Sequence, residues 1–387
     1  MKHIAAIDGL RAWMAWWVVT QHLLQASGLS NEHSHPLIKL LSMGGLAVMV
    51  FAIISGFVIA HLTLTKHEPY RPYLARRFFR IYPLYLVAIF FALVLRNQYY
   101  AIIVTSPWAD SSSEMHFYAQ QPYLELHTAL HLLLLHGMVP DSALKTASMA
   151  ILGPAWSLSL EWQFYLLAPA IIAIMLMRQR PLARLAAFAG IAAIMAATYR
   201  IASQFEYPAA LPLCIGFFLI GIATRCWLGG MPLLRLLPAV AVAAGNLVFY
   251  IIAYGYGHIW IGLLPMLIWG AVVWYLYRIQ AGLQFDIACK LLDLLLGSKT
   301  AVTLGRWSYA TYLLHLPLFV AVLWLVSHAG FAQTKTVHFF TLIVACPLLV
   351  AISGFAYRWI EQPGVAMGKI FTKRFMPDYA ERSPPLS

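Results

Sequence analysis

The stretch IDGLRAWMAWWVVTQH, residues 7–22, decides the fold class. Trp13, Trp16, Trp17, Val18 and Val19 make it as apolar as a membrane span, yet it carries Asp8, Arg11, Gln21 and His22. A charge deep in a bilayer is expensive, so ionisable residues in a span point to function rather than to anchoring. Eleven residues of helix rise about 16 Å and complete close to three turns, which puts Arg11 and His22 on one face. Arg11 is expected near one mouth of the span and His22 in the far half.

The rest of the chain agrees with a bilayer as solvent. Of 387 residues, 61% are hydrophobic and only 10% charged, where a soluble domain carries about 25% charged residues. Apolar runs recur at the ~20 residues a crossing helix needs. The reading is an all-α, polytopic integral membrane protein with about ten transmembrane helices, near 7–26, 38–62, 78–96, 156–177, 185–203, 211–228, 236–254, 259–277, 307–327 and 337–358. With the N-terminus inside, 26 basic residues divide unevenly, and only Lys39, Arg96, Lys145, Arg200 and Lys335 fall outside. Such a bias sets orientation, so both termini are expected in the cytoplasm. The net charge of +12 is then a topology signal, and no nucleic-acid partner is expected. Residues 1–363 form the transmembrane domain in this reading, and 364–387 a short, proline-rich cytoplasmic tail, disordered beyond Pro377.

Three further clusters stand out. ARRFFRIYPLYL, residues 75–86, brings Arg76, Arg77 and Arg80 to the inner end of the third span. Arg77 and Arg80 share a helical face, where guanidinium forks can grip phosphate, although positive-inside topology accounts for part of this charge. PAWSLSLEWQFYLLAPA, residues 154–170, places Glu161 inside a span. Counting residues from the outer helix ends puts Glu161 about 8 Å deep and His22 about 6 Å deep. A carboxylate beside an imidazole can fix its tautomer for general-base work, so Glu161 is expected to orient His22; pairing with an arginine or with Gln163 and Tyr165 is the alternative. MGGLAV supplies Gly44 and Gly45, and ISGFVI supplies Ser55 and Gly56, small residues that permit close helix packing. His127 and His131, four apart in the outer loop and with His136 nearby, lack a third well-spaced ligand, so no metal site is expected. The four cysteines are scattered and form no CxxC pair.

Six stretches in order resemble the membrane-bound acyltransferase-3 family, which includes O-antigen and exopolysaccharide O-acetylases. They are IDGLRAWMAWWVVTQH, FAIISGFVIA, ARRFFRIYPLYL, WSLSLEWQFYLLAP, LGRWSYATYLLHLPL (304–318) and YRWIEQP (357–363). The resemblance implies that His22 is catalytic with Arg11 in the same span, that Arg77 and Arg80 contact acyl-CoA, and that Gly44, Gly45 and Glu161 belong to the site. Ala12 stands where glycine is common, and Trp162 where a second acidic residue is frequent. The extracytoplasmic SGNH-type domain of many relatives is not expected here.

The function this implies is an O-acyltransferase of a bacterial inner membrane. It would carry an acyl group, most simply acetyl, from cytosolic acyl-CoA to a hydroxyl of a glycan or lipid-linked sugar on the other side. Acetyl-CoA is a co-substrate in this reading, and no tightly bound cofactor is expected. Trp156, Trp162 and Tyr165 are assigned to sugar or lipid stacking, or else to packing. A secondary transporter of a small metabolite is the alternative, since buried charges in ten spans also fit that class.

Overall fold

The computed structural model describes residues 2–31, 33–66, 68–254, 259–283 and 286–376, which are helical and joined by loops, with no strand among them. The main helices are α1 (Lys2–Ala26), α2 (Gly44–Lys66), α3 (Tyr70–Val94), α4 (Leu124–Leu132), α5 (Trp156–Leu176), α6 (Pro181–Tyr199), α7 (Leu211–Leu228), α8 (Leu233–Tyr254), α9 (Ile259–Gln280), α10 (Ile287–Gly297), α11 (Lys299–Arg306), α12 (Ser308–His328), α13 (Lys335–Ala356) and α14 (Gln362–Phe375). Among the described residues, nine helices are long and apolar enough to cross a membrane. The chain is therefore a multi-pass membrane protein. Helix α1 is not one of the nine. It nevertheless occupies the interior of the bundle, packed by α2, α11 and α12.

Protein neighbours compensate the polar groups of α1. Asp8 Oδ2 lies 3.8 Å from Arg306 Nε, and Trp13 Nε1 donates to the Leu295 carbonyl at 2.9 Å, both on the α10–α11 segment. At the other end the Ala26 carbonyl lies 3.0 Å from His338 Nδ1 and accepts from Trp108 Nε1 at 3.3 Å. A polar helix sheltered in this way does not need the hydropathy of a lipid-facing one.

Helices α2 and α7 cross at unusually short range. A Cβ on Gly56 would collide with the Phe218 carbonyl oxygen, and one on Gly221 with that of Ile53. Close approach of small residues is a principal means of binding helices in lipid, where no hydrophobic drive between helices exists.

The segment between α3 and α5 is built on three fully buried histidines, His127, His131 and His136. His131 and His136 stack with ring centroids 3.9 Å apart. His131 Nδ1 lies 2.9 Å from the His127 carbonyl, and His136 Nε2 lies 3.0 Å from that of Ala155 at the start of α5. No group of three or more potential metal ligands occurs among the described residues. At the C-terminal end, α13 passes through a π-helical segment, Tyr357–Glu361, into α14. Gly364, Gly368 and Thr372 of α14 are buried against α3. The boundary expected at residue 363 therefore falls within packed helix that runs to Phe375. The stretch beyond Pro377 expected to be disordered lies outside the described residues.

Gly56→Leu should destabilise the bundle by about 1–3 kcal/mol, the usual cost of overpacking. A thermal melt in detergent checks it, with Gly190→Leu as the neutral control because no atom lies within 4 Å of a Cβ there.

Candidate functional site

Two cavities lie inside the bundle. The first, about 630 Å³, is lined by Arg11, Arg77, Arg80, Glu161 and Tyr165, and also by His61 and Arg225. The second, about 720 Å³, is lined by Gln21, His22, Gln25, Gly44, Gly45 and Trp156. Both fall within the roughly 300–1,000 Å³ typical of small-molecule sites. Val48 and Tyr312 line both cavities, so a single layer of side chains separates them there. Helix α1 passes along both, presenting Arg11 to the first and His22 to the second.

The first cavity is organised by arginines with carboxylates around them. Arg77 lies with its guanidinium carbon 5.8 Å from the Tyr73 ring centroid and 5.7 Å from that of Tyr165. Arg80 stands in the field of Glu361 and Glu161, and Arg11 in that of Glu361, Glu161 and Asp8. Glu161 Oε1 accepts from Ser55 Oγ at 2.9 Å and from the Tyr165 hydroxyl. The Nε atoms of Arg11 and Arg77 are buried without a hydrogen-bond partner among the described residues. Planar guanidinium donors held this way suit a multiply charged oxyanion such as phosphate.

Arg76 is directed elsewhere. Its Nε lies 3.0 Å from Glu68 Oε1, and it does not line the cavity. Burial pushes the Glu68 carboxyl up, opposed by Arg76, Arg77 and Lys66. One helical step rotates a side chain by about 100°, which separates Arg76 from its neighbour Arg77.

In the second cavity His22 has an imidazole neighbour rather than a carboxylate. Its ring centroid lies 5.0 Å from that of His315, tilted by 34°. His315 is fully buried, and its Nδ1 lies 2.8 Å from the Tyr312 carbonyl. A carbonyl can only accept, so Nδ1 carries the hydrogen and Nε2 keeps its lone pair. That Nε2 has no hydrogen-bond partner among the described residues. Tyr312 is fixed by its hydroxyl, which donates to the Pro154 carbonyl at 2.6 Å and lies 2.7 Å from Ser157 Oγ. Trp156 packs against Tyr207 with centroids 5.4 Å apart.

The structure thus brings Arg11, Arg77, Arg80, Glu161 and Tyr165 together in one cavity and His22, Gly44, Gly45 and Trp156 in the other. The expected Glu161–His22 pair is not formed. Similar depth was the basis for it, but Glu161 turns toward Ser55 and Tyr165, and His22 turns toward His315 across the layer. Three contributors escaped the sequence reading although they sit inside quoted motifs. Tyr312 and His315 lie in LGRWSYATYLLHLPL, and Glu361 in YRWIEQP. A signal for the last two was present, since each is an ionisable residue in an apolar context.

The chain belongs to the acyltransferase-3 family: residues 4–357 match its acyltransferase domain. It is similar to the acyltransferase MdmB of Streptomyces mycarofaciens, with 28% identity over 329 residues that cover 81% of this chain and 78% of that protein. No solved structure matches the chain.

Glu161→Gln should lower the melting temperature of the ligand-free protein, by about 1 kcal/mol of stability. The amide keeps the Ser55 or Tyr165 contact but removes a charge-assisted bond and the counter-charge to Arg11 and Arg80. An unchanged melt would place Glu161 outside the energetics of the arginine network.

Proposed function

We propose that this membrane acyltransferase takes its acyl group from acyl-CoA, most simply acetyl-CoA, bound in the arginine cavity. It delivers the group to a hydroxyl of a glycan or lipid-linked sugar in the His22 cavity. The observation that carries the reading is the shared layer: two cavities of different chemistry, one cationic and one containing His22, meet at Val48 and Tyr312. The face that bears the arginines is the cytoplasmic one, because the basic residues concentrate there. A bacterial inner membrane fits a donor on that face and a surface saccharide on the other.

In this reaction His22 removes the proton from the acceptor hydroxyl as the oxygen attacks the thioester carbonyl. A C–O bond forms, the C–S bond breaks, and the CoA thiolate leaves, with the proton held on His22 available to it. Arg77, Arg80 and Arg11 hold the phosphates, and the pantetheine arm reaches the layer. The rise of about 16 Å from Arg11 to His22 is comparable to that arm. His315, whose ring centroid lies 5.0 Å from that of His22, orients it from behind. Membership in an acyltransferase family leaves no observation favouring the transporter alternative.

His22→Ala should abolish acyl transfer while the protein still inserts and accumulates. Release of free CoA from acetyl-CoA in the presence of membrane glycans is the assay. Wild-type turnover in a well-folded variant would remove His22 from the reaction.

Arg77→Ala and Arg80→Ala should each weaken acetyl-CoA binding about tenfold or more, as expected for one lost hydrogen bond to a charged group. Lysine replacements should recover only part, since an ammonium lacks the planar fork. Calorimetry on purified protein measures it, and equal affinities would reduce both arginines to topology signals.

A further inference from the structure

Arg225 and His61 are left unexplained by the reaction above. Both line the arginine cavity, from α7 and α2. These two helices run parallel here, as the Gly56–Phe218 approach and the Arg225–His61 bond show by their matching sequence offsets. Arg225 Nε donates to His61 Nδ1 at 3.0 Å. Accepting at Nδ1 makes His61 the neutral Nε2–H tautomer, so Arg225 is braced by an uncharged partner. No carboxylate lies within ion-pair distance of Arg225 among the described residues, unlike Arg76, Arg278 and Arg306, each of which has one. Its terminal nitrogens are therefore an uncompensated cationic fork on the wall of a cavity.

Depth gives this fork a place. Arg225 lies three residues from the end of α7, and His61 five from the end of α2, about 5–8 Å inside the bundle. Arg77 and Arg80 lie seven and ten residues beyond the start of α3, which begins four positions after the end of α2, so about 10–15 Å inside from the same face. The cavity thus has an outer cation and an inner group of three. Coenzyme A has matching anions: a diphosphate in mid-molecule and a ribose 3′-phosphate at the end remote from the thioester.

We propose that Arg225, braced by His61, is a second phosphate subsite that takes the 3′-phosphate of the donor's adenosine, while Arg77, Arg80 and Arg11 hold the diphosphate. This rests on the acyl-CoA reading given above. It makes the rim a selectivity filter, favouring the coenzyme thioester over thioesters that lack the nucleotide phosphate. The lysines and arginines of a topology signal would carry no such discrimination.

The test is calorimetric binding of acetyl-CoA and 3′-dephospho-acetyl-CoA to the purified full chain. Wild type should prefer acetyl-CoA by about tenfold, the worth of one charged hydrogen-bonding contact. Arg225→Gln should erase the preference by losing affinity for acetyl-CoA alone, and its retained affinity for the dephospho compound shows that it is folded. Arg225→Lys should restore part of the preference, whereas Arg77→Ala should weaken both ligands. Equal wild-type affinities for the two compounds overturn the subsite and leave the acyl-CoA reading standing. An equal loss for both in Arg225→Gln also overturns it, as would an Arg225 that binds only a lipid headgroup phosphate and leaves the preference intact. Failure of wild type to bind either compound overturns both readings.

Discussion

Buried guanidinium groups must be compensated, and the bundle is arranged around that requirement. Arg11 and Arg80 enter an apolar interior from α1 and α3, where an unpaired charge costs several kcal/mol. Both are compensated by carboxylates from other helices, Glu161 on α5 and Glu361 on the π-helical segment before α14, and Arg11 also by Asp8 one turn back on its own helix. Glu361 is buried. Meeting these charges obliges α1, α3, α5 and the C-terminal helices to converge, and the cavity is the space left at the convergence. The same charges that make the helices costly to insert therefore determine where a multiply charged ligand can be received.

A second constraint is separation. The layer of Val48 and Tyr312 keeps a cationic chamber apart from the chamber containing His22. Tyr312 is not a loosely placed ring, because the Pro154 carbonyl holds its hydroxyl while its own carbonyl positions the His315 ring. One residue thereby couples the partition to the imidazole beside His22. In the acyl transfer proposed above, donor and acceptor would meet only at that partition, which would keep the thioester away from bulk water in the other chamber.

Much of this was legible in the chain. Apolar runs of crossing length indicate the multi-pass architecture, and the ionisable residues within 7–22 mark that helix as functional rather than as an anchor. The motif order pointed to the acyltransferase-3 family, to which the chain belongs. The first helix is expected as one of about ten spans with ionisable residues that point to function; among the described residues it falls outside the nine helices apolar enough to cross a membrane, because Asp8, Arg11, Gln21 and His22 lower its hydropathy. The C-terminal segment looked like a polar tail because glycines and basic residues mask an amphipathic face that packs on α3.

What the sequence determined by itself is therefore depth and composition: which segments are apolar, and how far along each one a charged residue lies. These follow from a fixed rise per residue, a local property of the chain. Rotation about the helix axis relative to neighbouring helices is not local. It decided that Arg77 faces the cavity while adjacent Arg76 pairs with Glu68, and that Glu161 turns to Ser55 and Tyr165 instead of His22. It also brought His315, 293 positions along the chain from His22, to its side. Such azimuths emerge only when all the helices pack at once, because each is set by the residues of the others: Gly56 against Phe218, Tyr312 against Pro154, and carboxylates gathered around buried arginines.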